Sequence, residues 1–147
     1  MKIELTREQL EGLVKLVYLG VWMANSWRTE EEIPEDLVEV ENIVLTAAAR
    51  NGFREYVDID EAEGMVFPSA ELDEKMDETI DTYNDHTFWD EIIYRMAERD
   101  LIRKHGEEAL DELDTEEGRK KERPFLEKYE KEFYENGLDR LEIRRDH

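Results

Sequence analysis

The chain has 147 residues, with 41 Asp or Glu against 20 Lys or Arg, a formal charge of −21. That charge excludes attraction to bare duplex DNA or to an anionic membrane, and the lack of cysteine excludes disulfides, thiolate zinc sites and thiol nucleophiles. The longest apolar run, Leu16 to Ala24, is nine residues, short of the about 20 that span a bilayer.

The length fits one domain, 1–147, and fourteen Trp, Tyr and Phe spread along it argue for a folded chain. The start, Met1-Lys2-Ile3-Glu4-Leu5, carries an acid and no leader pattern, so a cytoplasmic location is expected. Leu5-Thr6-Arg7-Glu8-Gln9-Leu10 reads as a capping box with a hydrophobic staple, opening a helix at Arg7. Leu10, Leu13, Val14, Val17, Val21 and Ala24 form one apolar stripe, and Leu19, Trp22 and Met23 make the other face apolar too. A helix apolar all round is a buried one, which predicts a central helix ending near Trp27, with Leu13, Val17, Val21 and Trp22 in the core.

Residues 29–33 read as an acidic linker. Pro34, Glu35 and Asp36 then suit a helix start, Leu37, Val40, Val44, Ala47 and Ala48 its buried face, and Asn51-Gly52 its stop. Tyr56 to Ile59 and Met65 to Phe67 flank an acidic turn containing Gly64 and favour a short hairpin. Ser69 is placed to cap a third helix with Leu72, Met76, Ile80 and Tyr83 on one face. Thr87 or Asp85 is placed to begin a fourth, carrying Glu91–Arg95 and Asp100–Lys104 pairs and closed by Gly106. Residues 107–123 read as an exposed, highly charged helical segment, and Pro124 as the start of a helix with Phe125, Leu126, Tyr129 and Phe133, stopped at Asn136-Gly137. Leu141-Glu142-Ile143 alternates and is a candidate partner strand for Ile3-Glu4-Leu5. The fold class is therefore mainly α: a single-domain helical bundle of about five helices with a minor β element, a short hairpin, paired termini or both.

Charge is distributed unevenly. Between Glu55 and Glu91 there are fourteen acids and one base, Lys75, so this quarter of the chain holds −13 of the −21. Within it Asp73, Asp77, Asp81 and Asp85 recur every four residues, about 5–6 Å apart on a helix. Hard cations take oxygen ligands, so Asp77, Asp81 and Asp85 are the candidate metal ligands. Helical di-metal sites, however, direct their carboxylates inward and include a Glu-x-x-His pair, which this sequence lacks. A solvated acidic face is the favoured reading of the same three residues, and they are then the candidate interaction residues.

Glu107-Glu108-Ala109-Leu110-Asp111 has a passing likeness to acidic motifs of helical nucleotide pyrophosphatases, but its partner, Glu78 to Asp81, precedes rather than follows it. His86 reads as a helix-start residue, His105 as a helix-end residue, and His147 is terminal. Arg119-Lys120-Lys121-Glu122-Arg123 follows acids closely and reads as self-neutralised. No phosphate-binding glycine loop is present, and no catalytic or cofactor residue is assigned. Trp22, Trp27 and Trp89 are candidate interface anchors, but at helical spacing among aliphatics core is the favoured reading.

Tyr18-Leu19-Gly20-Val21-Trp22-Met23-Ala24-Asn25, Phe88-Trp89-Asp90-Glu91, Arg99-Asp100-Leu101 and Glu135-Asn136-Gly137-Leu138-Asp139-Arg140-Leu141 resemble small uncharacterised bacterial proteins, over most of the chain. The resemblance brings no activity, ligand or catalytic residue with it. On the residues alone, the expected function is non-enzymatic: an acidic interaction or regulatory protein that meets a basic protein surface, without direct nucleic-acid or membrane binding. The alternatives are a duplex-DNA mimic and a small metal-dependent hydrolase using the helical Asp/Glu rows. The oligomeric state is left open.

Overall fold

The computed structural model describes residues 2–29, 32–62 and 64–143. Among them five α-helices and a two-stranded hairpin follow in the order α1 (Arg7–Asn25), α2 (Glu35–Arg50), a 3-10 turn at Arg54–Tyr56, β1 (Val57–Asp60), β2 (Met65–Pro68), α3 (Ala70–His105), α4 (Glu108–Asp111) and α5 (Glu116–Asn136). The architecture is thus mainly α with a minor β element. The chain groups into two compact units that divide between Thr82 and Tyr83.

In the first unit, the α1 start is held as its sequence predicts. Thr6 Oγ1 accepts from the Gln9 N–H at 3.2 Å, and Gln9 Oε1 accepts from the Thr6 N–H at 2.9 Å. Leu10 and Val14 of α1, Val44, Leu45 and Ala48 of α2, Phe53, Tyr56, Val57, Val66, and Leu72 and Met76 of α3 form one buried cluster. Each fully buried aliphatic here contributes about 1.5–3 kcal/mol. The strands pair antiparallel with Val57 opposite Pro68 and Asp60 opposite Met65. Ser69 caps α3, accepting from the Leu72 N–H while donating to the Glu55 carbonyl.

Only one face of α1 enters this core. Leu13 and Val17 are partly covered, Val21 and Trp22 are half-exposed, and Leu16, Met23 and Trp27 lie open to solvent. The apolar second face that marked α1 as a central helix is therefore outside, because α2 and the first turns of α3 cover a single side. Val40 of α2 is likewise exposed. The expected linker, 29–33, includes Glu30 and Glu31, which lie outside the described residues, as does His147.

The predicted third and fourth helices are one helix of 36 residues. Thr82-Tyr83-Asn84-Asp85-His86-Thr87 contains no Gly or Pro, so nothing forces a break. Asp85 accepts from the indole N–H of Trp89 at 3.2 Å, one turn along the same helix, instead of capping a new one. Tyr83 is exposed rather than aligned with Leu72 and Met76. Gly106, at φ 86°, ends α3 in the left-handed region and returns its N–H to the Ile102 carbonyl at 2.8 Å.

In the second unit, the part of α3 beyond Thr82 packs on α5. Ala97, Tyr129 and Phe133 are buried, with Trp89, Ile92, Ile93, Met96, Phe125 and Leu126 around them. Helix α5 begins before Pro124, not at it. Thr115 Oγ1 accepts from the Gly118 N–H at 3.0 Å, so the last charged residues before Pro124 are the first turns of α5. Gly118 is buried against the Glu112–Leu113 backbone. Residues 3–5 and 141–143 form no strand, and Ile3, Leu5, Leu141 and Ile143 are exposed. Three-residue segments offer too few ladder hydrogen bonds to hold a two-stranded pair unaided.

Candidate interaction surfaces

The acidic row was predicted from spacing, and the packing of α3 decides where it faces. Leu72 and Met76 turn into the core of the first unit, which sends Glu71, Asp73, Glu74, Asp77, Glu78 and Asp81 to solvent. Six acids in ten residues of helix rise amount to one charge per about 2.5 Å of axis. The one base among them is already engaged. Lys75 donates to Tyr56 Oη at 2.5 Å and lies 3.4 Å from Glu11, whose carboxylate also meets Lys15 at 2.7 Å. The hydrogen bond from Lys15, with that from Tyr56, lowers the Glu11 carboxyl to about 2. Tyr56 in turn raises the ammonium of Lys75.

The aspartates of the row differ in their surroundings. Burial, then a hydrogen bond with Asp73, pushes the Tyr18 phenol up to about 12, with the charge of Asp77 adding to it. Asp73 therefore helps seat α1. Asp85 belongs to the second unit and accepts from Trp89. Asp77 and Asp81 are exposed and have no ion-pair partner among the described residues. Among those residues, no group of three or more Asp, Glu or His side chains is arranged to hold a metal ion. His86 is exposed in the middle of α3, not at a helix start, and His105 sits edge-on to Phe125. Glu108 to Asp111 form only the single turn of α4.

The basic cluster behaves differently from the acidic one. Lys120 pairs with Glu116 at 2.7 Å, Lys121 with Glu112 at 2.5 Å and Arg123 with Glu127 at 2.6 Å. Arg119 donates to the Asp114 carbonyl. Lys120, Lys121 and Arg123 are neutralised within their own unit, while Glu71, Asp77, Glu78 and Asp81 at the start of α3 have no ion-pair partner among the described residues.

Two further constellations escaped the sequence reading. In the second unit Asp100, with a side chain only 15% exposed, accepts from Arg99 at 3.0 Å, Lys128 at 2.8 Å and Tyr129 at 2.5 Å. Burial alone would raise this carboxyl, but the hydrogen bonds from Lys128, Tyr129 and Arg99 outweigh it and hold it well below the usual range. The expected Asp100–Lys104 pair is not formed: Asp100 reaches Arg103 at 3.6 Å, and Lys104 lies over the Phe125 ring. Glu91 and Arg95 do pair, at 2.7 Å. In the first unit a cleft of about 400 Å³ is lined by Val21, Trp22, Asn25, Val38, Glu41 and Phe67 among others. Burial raises the Glu41 carboxyl, and both polar atoms of the Asn25 amide are buried without a hydrogen-bond partner among the described residues.

No helix among the described residues is long and apolar enough to cross a membrane. Comparison of the chain with protein-family models, with curated proteins and with solved structures finds no match.

Proposed function

We propose that the protein is a non-enzymatic, acidic interaction module that docks the exposed face of α3 on a basic protein surface. The carrying observation is the asymmetry of its ion pairs: Lys120, Lys121 and Arg123 are matched by nearby acids, whereas Glu71, Asp77, Glu78 and Asp81 are left without a cation among the described residues. Exposed carboxylates held this close repel one another, and a complementary partner relieves that repulsion. The rigidity of an uninterrupted helix keeps the charges in register before the partner arrives. Such a face raises the rate of encounter more than the final affinity. A cytoplasmic location belongs to the same proposal.

A second reading is favoured by the spacing. One charge per about 2.5 Å falls between the 3.4 Å of one DNA strand and the 1.7 Å of the duplex. A basic groove shaped for phosphates would meet a comparable charge density on α3, so the partner class most in keeping with the face is a DNA-binding protein.

The test is a pull-down from nuclease-treated lysate, with the wild type and an Asp77→Asn, Asp81→Asn, Asp85→Asn variant as bait. Basic proteins retained by the wild type, lost with the variant and released by salt are the expected result. Release of the same proteins by added duplex DNA selects mimicry. Equal capture by wild type and variant would defeat the proposal.

A further inference from the structure

The cleft of the first unit combines features that an acidic docking face does not explain. It lies between the last turns of α1, the middle of α2 and β2, and its volume of about 400 Å³ is that of a small-molecule site. Val21, Trp22, Val38 and Phe67 make much of its wall apolar. Two polar side chains on the same wall are unsatisfied. The half-buried Glu41 carboxylate has no hydrogen bond or ion pair among the described residues, and burial raises it with nothing to offset the effect. Both polar atoms of the Asn25 amide are shut off from solvent and meet no partner among those residues. Asn42, also on this wall, is the contrast. It donates to the Val38 carbonyl at 2.9 Å and accepts from the Val66 N–H at 3.1 Å, so the fold itself uses that amide.

An unpaired buried polar group costs stability, and departures of this kind from a satisfied interior concentrate at functional sites. From these observations we propose that the cleft binds a small organic amine, its protonated nitrogen against Glu41 and its apolar body against Trp22, Val38 and Phe67. The groups present select the charge of the ligand. A carboxylate withdrawn from water and lacking a cation is the natural acceptor for an ammonium, and it repels an anion. Trp22 and Asn25 belong to the last turn of α1, which holds no basic residue and places the negative end of a helix dipole at the cleft. An aromatic face on the same wall adds cation–π attraction. Asn25 Oδ1, brought to the cleft by rotation of its side chain, is a second acceptor for the ammonium. The apolar wall asks for more than a bare ion, because only an apolar body gains by covering it. The acids of α3 draw cations as well, but the cleft is a separate surface and selects by shape and apolarity as much as by charge.

Phenethylamine, an ammonium on a single aromatic ring, is the probe, titrated into the isotope-labelled full chain at fixed pH and salt and followed by two-dimensional amide NMR. Saturable shifts are expected at the Trp22 indole, the Asn25 side-chain amide and the backbone of Val38, Glu41 and Phe67, with a dissociation constant of about 1 mM or tighter. Methylamine, which lacks the apolar body, and phenethyl alcohol, which lacks the charge, should each bind at least tenfold more weakly. These two comparisons use the native chain and need no variant to fold. Glu41→Gln should weaken phenethylamine at least tenfold with the remaining resonances unmoved. Asn25→Leu should also weaken it while raising the unfolding temperature, a combination that a purely structural asparagine would not give. The Asp77→Asn, Asp81→Asn, Asp85→Asn variant should bind the probe as the wild type does, which separates this site from the docking face of α3. The proposal is overturned by equal binding of methylamine or the alcohol, by shifts spread along α3 instead of the cleft, or by undiminished binding in Glu41→Gln or Asn25→Leu. Absence of saturable shifts at about 20 mM phenethylamine overturns it too.

Discussion

Replacing Gly118 by alanine should destabilise the second unit, although the same change in an ordinary helix stabilises. An alanine Cβ at this position would sit 1.9 Å from the Glu112 carbonyl oxygen, 2.3 Å from its carbon and 2.8 Å from the Leu113 nitrogen. All three are backbone atoms, so no side chain can swing aside, and the turn that delivers Thr115 to its capping position must open. Overpacking of this kind costs about 1–3 kcal/mol, and loss of the Thr115–Gly118 cap adds about 1 kcal/mol. The better helix propensity of alanine returns about 1 kcal/mol. The net expectation is a loss of about 1–3 kcal/mol. Urea unfolding followed by the fluorescence of Trp89, which packs on Phe133 in this unit, would read it in a Trp22→Phe, Trp27→Phe background. Unchanged or increased stability of Gly118→Ala would show that α5 does not approach the 112–113 backbone as described.

Thr6→Ala should cost about 1 kcal/mol in urea unfolding by removing the acceptor for the Gln9 N–H. Asn25→Leu, which keeps the branching and the four side-chain heavy atoms, should raise stability by about 1 kcal/mol because it removes a buried amide with no partner among the described residues, as thermal unfolding would report. Asp100 and Glu11 both have folded carboxyls lowered below their unfolded values. Their contribution is complete above the unfolded value of about 4 and is lost as pH falls through the lower folded values, so stability measured against pH should drop below about pH 4. Asp100→Asn should flatten that drop, and Asp100→Ala should cost about 1–2 kcal/mol at neutral pH by leaving Arg99, Lys128 and Tyr129 without their acceptor.

Local signals survived folding well. The Thr6 box, the Asn51-Gly52 stop, the hairpin around Gly64, the Ser69 cap and the Gly106 and Gly137 terminations are each decided by a few neighbouring residues, and each appears where the sequence puts it. What failed depends on distant partners or on competition between signals. Asp85 and Thr87 resemble a helix start, yet they yield to a helix already propagating from Ser69, since extension adds a hydrogen bond for each residue ordered. Pro124 resembles a start as well, but Thr115 supplies an earlier one and the proline is absorbed inside α5. The apolar second face of α1 looks the same in sequence whether the chain or something outside it provides the cover. The α3 acid row was legible because exposed spacing on a helix is a local property. The Asp100 cluster was not, because Lys128 and Tyr129 arrive from another helix some 28 residues away in sequence.

The central claim is that the uncompensated carboxylates of α3 drive association with a basic surface. Its most direct measurement is the affinity for an oligolysine peptide, titrated from low to high salt, for the wild type and for the Asp77→Asn, Asp81→Asn, Asp85→Asn variant. As the screening length falls from about 10 Å at 0.1 M to about 3 Å at 1 M, the wild type should lose affinity steeply. The variant, with three exposed charges removed and its core untouched, should bind more weakly at low salt and show a shallower salt dependence. Equal affinities and equal slopes for the two proteins would contradict the account.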